Sequence, residues 1–300
     1  MKKKKNRGHR AHIIGIVFGL ATLIIIIVSL FLIVRQSIQF SHRTHPIFRW
    51  RFDLGDKYSE SLPESEGERT VHGYYKNISI SNVAGKIRID GWDEDYYLIK
   101  FRKMGPTPRS IRELELTIET RGENLIIKRN APTGNQGTVS FEIFIPERVG
   151  HIRAESVSGS IELFGIHPGV CQELRTVSGR IFTDLSSDLT VKSTSGSITF
   201  LFQGRMLTAQ TVSGSIGGTI SNIEPGASME LGSVSGSIKI RADERFNAEV
   251  SLRSVSGRIS CDFPMTVQRE ERGRLEGKIG EGLGSLKVKT TSGAIQIGKN

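Results

Sequence analysis

The tetrapeptide Ser-Gly-x-Ile recurs seven times, with its glycine at Gly159, Gly179, Gly196, Gly214, Gly236, Gly257 and Gly293, spaced by 20, 17, 18, 22, 21 and 36 residues. A period near 20 residues marks a chain built from stacked supersecondary units, and it constrains the fold more than composition does. The last interval is nearly double, and Glu276-Gly277-Lys278-Ile279 falls inside it as a degenerate copy. Ala84-Gly85-Lys86-Ile87 is another, 74 residues before the first perfect copy, or about four periods.

Alignment on the glycine exposes apolar columns. Seven residues before it stand Ile78, Ile152, Leu189, Leu207, Met229, Val250 and Leu286, with Gln172 the one exception. Five before it come Ile80, Ala154, Leu174, Val191, Ala209, Leu231, Leu252 and Val288. Two after it the residue is always isoleucine: Ile87, Ile161, Ile181, Ile198, Ile216, Ile238, Ile259 and Ile295. Positions before and after the glycine alternate with opposite parity, so a strand must turn a corner there. Glycine suits a corner because it adopts positive φ without a Cβ clash. One such unit cannot bury its apolar face alone, whereas units stacked about 4.8 Å apart can. The fold expected is all-β: an elongated β-solenoid of about 18–22-residue coils, with corners at Gly85 and the seven perfect copies and a core column of isoleucines.

Three residues before each glycine the side chain is Asn82, Ser156, Thr176, Ser193, Thr211, Ser233, Ser254 or Thr290. A hydroxyl in every coil has no special partner in each, so this column reads as a structural ladder rather than a set of nucleophiles. Before the perfect repeats, segments 114–120, 124–128 and 139–146 alternate at period two and predict strands. The first third of domain 74–300 is thus expected to be a less regular part that caps the stack against edge pairing.

The charge balance of +10 is misleading as a sign of nucleic-acid binding. Residues 1–52 hold ten Lys or Arg and no Asp or Glu; subtraction from 41 and 31 leaves 31 of each sign in 53–300. A neutral body does not supply the clustered cations that phosphate binding needs. The basic end instead flanks 13–34, 22 residues without a charge, which as a helix spans about 33 Å. Its length and the lack of a small-x-small cleavage site predict an uncleaved signal anchor. Six cations precede it and four follow over a longer span, so the positive-inside rule places 1–12 in the cytoplasm as a basic tail. The expected arrangement is single-pass in a bacterial cytoplasmic membrane, with the lipid bilayer as one partner and the repeat domain extracytoplasmic. Residues 35–73, acidic and Ser-rich near Ser59 to Glu68, read as a linker or stalk. His42, His45 and His72 show no ligand spacing there, and Phe48 and Trp50 suit a bilayer interface.

The set Asn77-Ile-Ser-Ile-Ser-Asn-Val-Ala-Gly-Lys-Ile-Arg-Ile-Asp-Gly-Trp92, Phe144-Ile-Pro146 and the tandem Val-Ser-Gly-Ser-Ile units resembles the bacterial "putative adhesin" family of β-strand-repeat proteins, a domain of unknown function, over 77–298. The resemblance implies a non-enzymatic, envelope-exposed solenoid, often behind a membrane segment, with no catalytic residues to transfer.

Polysaccharide lyases and hydrolases built on β-helices make an enzyme the rival reading, and such chemistry needs convergent carboxylates. Glu155, Glu162, Asp184, Asp243, Asp262 and Glu276 occupy different repeat positions and define no stacked pair. None of the perfect corners carries the aspartate of a calcium-binding roll. Gly280-Glu-Gly-Leu-Gly284 lacks both dinucleotide-binding spacing and a phosphate-loop lysine, and reads as a loop or worn repeat. Cys171 and Cys261 lie about five coils apart, roughly 24 Å, too far for a disulfide. No cofactor, metal or nucleic acid is expected. The function expected is a non-catalytic binding or structural module of the envelope, with an unknown envelope protein or glycan as ligand. An envelope-stress component acting through membrane partners is the alternative, and a glycan-active enzyme ranks third.

Overall fold

A computed structural model of the chain describes residues 63–167 and 169–300. The tail, the 13–34 span and linker residues 35–62 lie outside the described residues. Among the described residues no helix is long and apolar enough to cross a membrane.

The protein is all-β and solenoid-like. The strands entering the corners are β2 (Asn77–Ala84), β8 (His151–Ser158), β10 (Cys171–Ser178), the later parts of β11 (Ile181–Ser195) and β12 (Ile198–Ser213), β14 (Ser228–Ser235), β16 (Ala248–Ser254) and β20 (Gly284–Ser292). Those leaving are β3 (Ile87–Trp92), β9 (Ile161–Phe164), the early parts of β11 and β12, β13 (Ile216–Ile220), β15 (Ile238–Ala242), β17 (Ile259–Cys261) and β21 (Ile295–Lys299). Each set makes a parallel sheet in the register that the glycine alignment demands. Leu174 pairs with Ala154 and Val191, Ile181 with Ile161 and Ile198, and Ile238 with Ile216 and Ile295. The inward columns of the two sheets form one core in which seven of the eight isoleucines are buried, Ile259 at the end being half-buried.

Stacking order departs from chain order at both ends. The last coil, β20–β21, is not terminal: β20 lies between β14 and β16, and β21 between β15 and β17. At the other end, β6 (Asn124–Asn130) and β7 (Thr138–Pro146) stack outside β2 and β3, which pair inward with β8 and β9. The gap before the first perfect repeat therefore holds one parallel coil, without a Ser-Gly corner, instead of about four periods. Around it are antiparallel strands: β5 (Glu115–Arg121) on β6, and β4 (Tyr96–Met104) then β1 (Glu64–His72) on β7. A one-turn helix, α1 (Pro108–Arg112), follows β4, with Thr107 and Ser110 forming a reciprocal capping box.

Two further expectations are corrected here. Residues 276–279 are no worn coil. They belong to β19 (Arg274–Ile279), which runs antiparallel to β16 and carries β18 (Thr266–Glu271) on its outer side. Strand β1 occupies part of the segment read as linker up to residue 73, so the β unit begins earlier than residue 74. Parallel pairing thus ends in antiparallel hairpins, and the edges β1, β5 and β18 are rich in charged residues that discourage further pairing.

The corner glycines are required for a different reason from the one their sequence context suggests. Of the eight, only Gly85 and Gly179 have positive φ. What all share is crowding. A Cβ on Gly196 would lie 2.0 Å from the carbonyl oxygen of Gly179, one on Gly214 2.1 Å from that of Gly196, and one on Gly236 1.9 Å from that of Gly214. The same contact joins Gly159 to Gly85, Gly179 to Gly159, Gly293 to Gly236 and Gly257 to Gly293, while Gly85 meets Val139. Each carbonyl occupies the space where the next coil would carry a side chain. Part of the polar column beside it also bonds across coils rather than to itself, while the hydroxyls of Ser156, Ser193 and Thr211 are buried without a partner. Thr290 Oγ1 donates to Gly236 O at 3.2 Å and Ser254 Oγ to Gly293 O at 3.0 Å, and Asn82 Nδ2 donates to Val139 O at 2.7 Å.

Core columns also compensate one another. Gln172, the break in its column, accepts a 2.7 Å hydrogen bond at its Oε1 from Thr183 on the facing sheet of its own coil, while its Nε2 is buried without a partner. The large ring of Phe200 fills the space left by Gly218 beside it, where a Cβ would lie 2.3 Å from the ring.

Three outcomes follow. Gly196→Ala must displace backbone in the adjacent coil and lowers unfolding free energy by about 2–4 kcal/mol. Gly232→Ala, whose Cβ would meet only Gln210 Cγ at 4.0 Å, changes it by less than about 0.5 kcal/mol; equal effects in urea titrations refute the packing account. Truncation before Gly284 removes buried Leu286, Val288, Ile295 and Ile297 from the interior of the stack. It therefore abolishes a single cooperative melt, whereas loss of a truly terminal coil would leave one. Lastly, Glu276 accepts from Arg274, Arg253 and Ser251, and the two guanidiniums hold its carboxyl down from the ordinary 4.5 to about 2. A depressed folded pKa contributes stability above the unfolded value and loses it as pH falls through the folded one. Glu276→Gln accordingly melts below wild type at pH 7, and the difference in Tm closes between about pH 4.5 and pH 2; a gap that persists at pH 2 contradicts this.

Candidate binding face

With inward positions committed to the core, function must reside on the outward faces, the rims or the loops. The six acids tested from sequence are already engaged or apart. Glu155 pairs with Arg153 at 2.7 Å, Glu162 with Lys86 at 2.7 Å, and Glu276 with Arg253 and Arg274. Asp184 accepts from Gly165 N, and Asp243 accepts from Asn222 N at 2.9 Å and Arg245 N at 3.1 Å, so these two cap return turns of the preceding coil. Asp262 is exposed beyond β17. Two hollows lie at the rim. One of about 280 Å³ is lined by Thr107, Arg109, Ser110, Glu113 and Asn135, and the other, about 170 Å³, by Asn222, Glu224, Asp243, Arg245 and Asn247. Among the described residues no group of three or more His, Cys, Asp or Glu is placed to hold a metal.

The remaining residues of sequence interest are dispersed. Of the three side chains that follow a corner glycine as cations, Lys86 is ion-paired, while Arg180 and Arg258 are exposed. His72 is in β1, its ring 5.7 Å from that of Tyr96. Residues 280–283 form the turn between β19 and β20, with Gly280 and Gly282 at positive φ. Cys171 begins β10 and is exposed, and Cys261 is half-buried in β17; both thiols are free, and burial pushes their pKa values up, which disfavours the reactive thiolate.

One outward face is chemically distinctive. On the sheet that leaves the corners, the strands run β1, β4, β7, β3, β9, β11, and two adjacent rows cross them. One row reads Glu68, Lys100, Glu142, Arg88, Glu162, Phe182, a strict alternation of sign over five strands before the ring. The next reads Leu98, Phe144, Asp90, Phe164. Opposite charges directly across a strand pair are mutually stabilising, so this pattern is a favourable one for the sheet itself. Arg88 sends two 2.7 Å bonds to Asp90 and lies 4.5 Å from the centre of the Phe164 ring. Lys100 Nζ is 5.3 Å from the Phe144 ring centre, within cation–π range.

Rings gather at both ends of the second row. Trp92 lies 5.1 Å from Phe144 and 4.8 Å, edge-on, from Tyr96, whose carbonyl accepts from the indole N–H at 2.9 Å. Phe164 and Phe182 are 5.1 Å apart. All five rings are half-buried, whereas the inward residues beside them on the same strands, Ile89, Ile143 and Leu163, are fully buried. None of these rings is singled out from the sequence; Phe164 and Phe182, five and three residues after their corner glycines, have the parity opposite to the inward isoleucines, a signal that could have found them, but the approach of Phe144 and Trp92 depends on β7 stacking against β3, which the sequence does not announce.

The chain has no match among curated proteins. Similar solved structures include a "putative cell adhesion protein" from Clostridium sporogenes, at 15% identity, TM-score 0.38, covering 79% of this chain and 100% of that one. A "putative adhesin" from Bacteroides fragilis matches at 12% identity and TM-score 0.40, over 78% and 97%. A "putative lipid binding protein" from Parabacteroides distasonis matches at 13% and 0.31, over 77% and 96%. A family profile described as Toastrack DUF4097 matches residues 75–298, spanning every parallel coil and both sets of capping strands except β1, and the chain belongs to that family.

Proposed function

We propose that this chain is a non-catalytic binding module of the bacterial envelope, held at the cytoplasmic membrane by residues 13–34 and displaying its β unit on the far side. The observation that carries the binding role is the outward face on which five aromatic rings stay half-buried beside a row of alternating charge. A flat, rigid face of this kind offers contact area at little entropic cost, since its backbone is fixed by the stack. The carboxylates that an enzyme would need are instead occupied in ion pairs and turn caps. The membrane placement is supported by the uncharged 22-residue run and by its flanking cations.

A tag after Asn300 and a photo-crosslinking residue at position 182 test both parts. Protease added to spheroplasts removes the tag, and cells lysed first show that the unit can be cut; a tag protected in spheroplasts but cut after lysis refutes the orientation. Irradiated cells give adducts from position 182 and none from position 208, which faces outward on the other sheet. Equal labelling at the two positions refutes a dedicated face.

A further inference from the structure

Resting on that reading, we propose that the face formed by β7, β3, β9 and β11 takes an uncharged β-1,4-linked glycan strand laid across the sheet. Phe144, Asp90 and Phe164 are in register on successive strands, so a carboxylate stands between two rings. Phe144 and Phe164 are two strand spacings apart, about 9.6 Å, which is about one disaccharide repeat of an extended β-1,4 chain. Aromatic rings carry negative potential that accepts pyranose C–H groups, so two rings at that interval suit every second sugar, and the cations already over them, Arg88 and Lys100, supply N–H donors for its hydroxyls. Between them Asp90, fixed by two bonds from Arg88, has oxygens available to accept from sugar hydroxyls.

Charge selects against other occupants. Lys86 is neutralised by Glu162 and Arg88 by Asp90, and Lys100 lies beside Glu142 and Glu68 in register. A polyanion or an anionic lipid surface is attracted by clustered cations without neighbouring anions, which this face lacks. An apolar partner helix needs a contiguous apolar surface, and here Phe144, Phe164 and Phe182 each border an ionised group. A neutral polymer with both donors and acceptors matches alternating, internally balanced charge.

The full-length chain in detergent is titrated with cellohexaose, chitohexaose and heparin, with calorimetry and tryptophan fluorescence as readouts. One or both hexaoses bind and change the fluorescence of the wild type, and the change is lost in Trp92→Phe, which keeps a ring. Phe164→Ala and, should that variant misfold, Asp90→Asn weaken binding at least tenfold, whereas Thr208→Ala on the opposite sheet leaves it unchanged. Absence of binding by both hexaoses, preference for heparin, or unaltered affinity in a folded Phe164→Ala overturns the glycan assignment. If the hexaoses fail while position 182 still gives adducts in cells, the binding-module reading stands and only the ligand class falls; if both fail, both fall.

Discussion

Everything in this structure depends on one close approach: the carbonyl of one corner glycine sits where the next coil's Cβ would be. It brings consecutive turns together at the corner, where Gly159 N donates to Ser178 O at 3.0 Å and Gly196 N to Ser213 O at 3.1 Å. Four side chains of the neighbouring hydroxyl column then donate to the same glycine carbonyls, which are only half-buried. Parity on either side of the corner follows, and with it the two inward columns that make the core.

Much of this was legible because a repeated constraint repeats its residues. Every coil that turns at one of the eight glycines has that glycine at the contact, a small polar group three before it and isoleucine two after it, so each column could be read without coordinates. The reason for the glycine was less legible. Positive φ and a carbonyl at 2 Å leave the same mark on a sequence, and six of the eight corners turn out to need only the second.

Stack order at the two ends was not legible, although the middle coils follow the chain. The corners at Gly236, Gly257 and Gly293 carry the same signature, so nothing local says that Gly293 packs between the other two. Chain order is decided by the hairpin of β18 and β19, whose antiparallel edge occupies the free side of β16 and leaves the opposite side for β20. Likewise, β7 is placed outside β3 by β4, which covers its other edge. The ends of a parallel stack must be closed by something other than another coil, and here the closing elements precede the coil they enclose.

That rearrangement also explains why the aromatic face escaped the sequence. Phe144 and Phe164 stand 20 residues apart in the chain, but their common row exists only because β7 and β9 flank β3. The corner contact fixes what points inward and leaves outward positions free, so binding chemistry in such a fold is written across strands rather than along them. Farther along the same face no ring appears: Thr199, Leu201, Gly217 and Thr219 follow Phe182 before Lys239 and Arg241. The rings are therefore not a general requirement of the sheet, since strands with the same inward columns do without them. A feature confined to one stretch of an otherwise uniform scaffold is better explained by what it contacts than by what it supports.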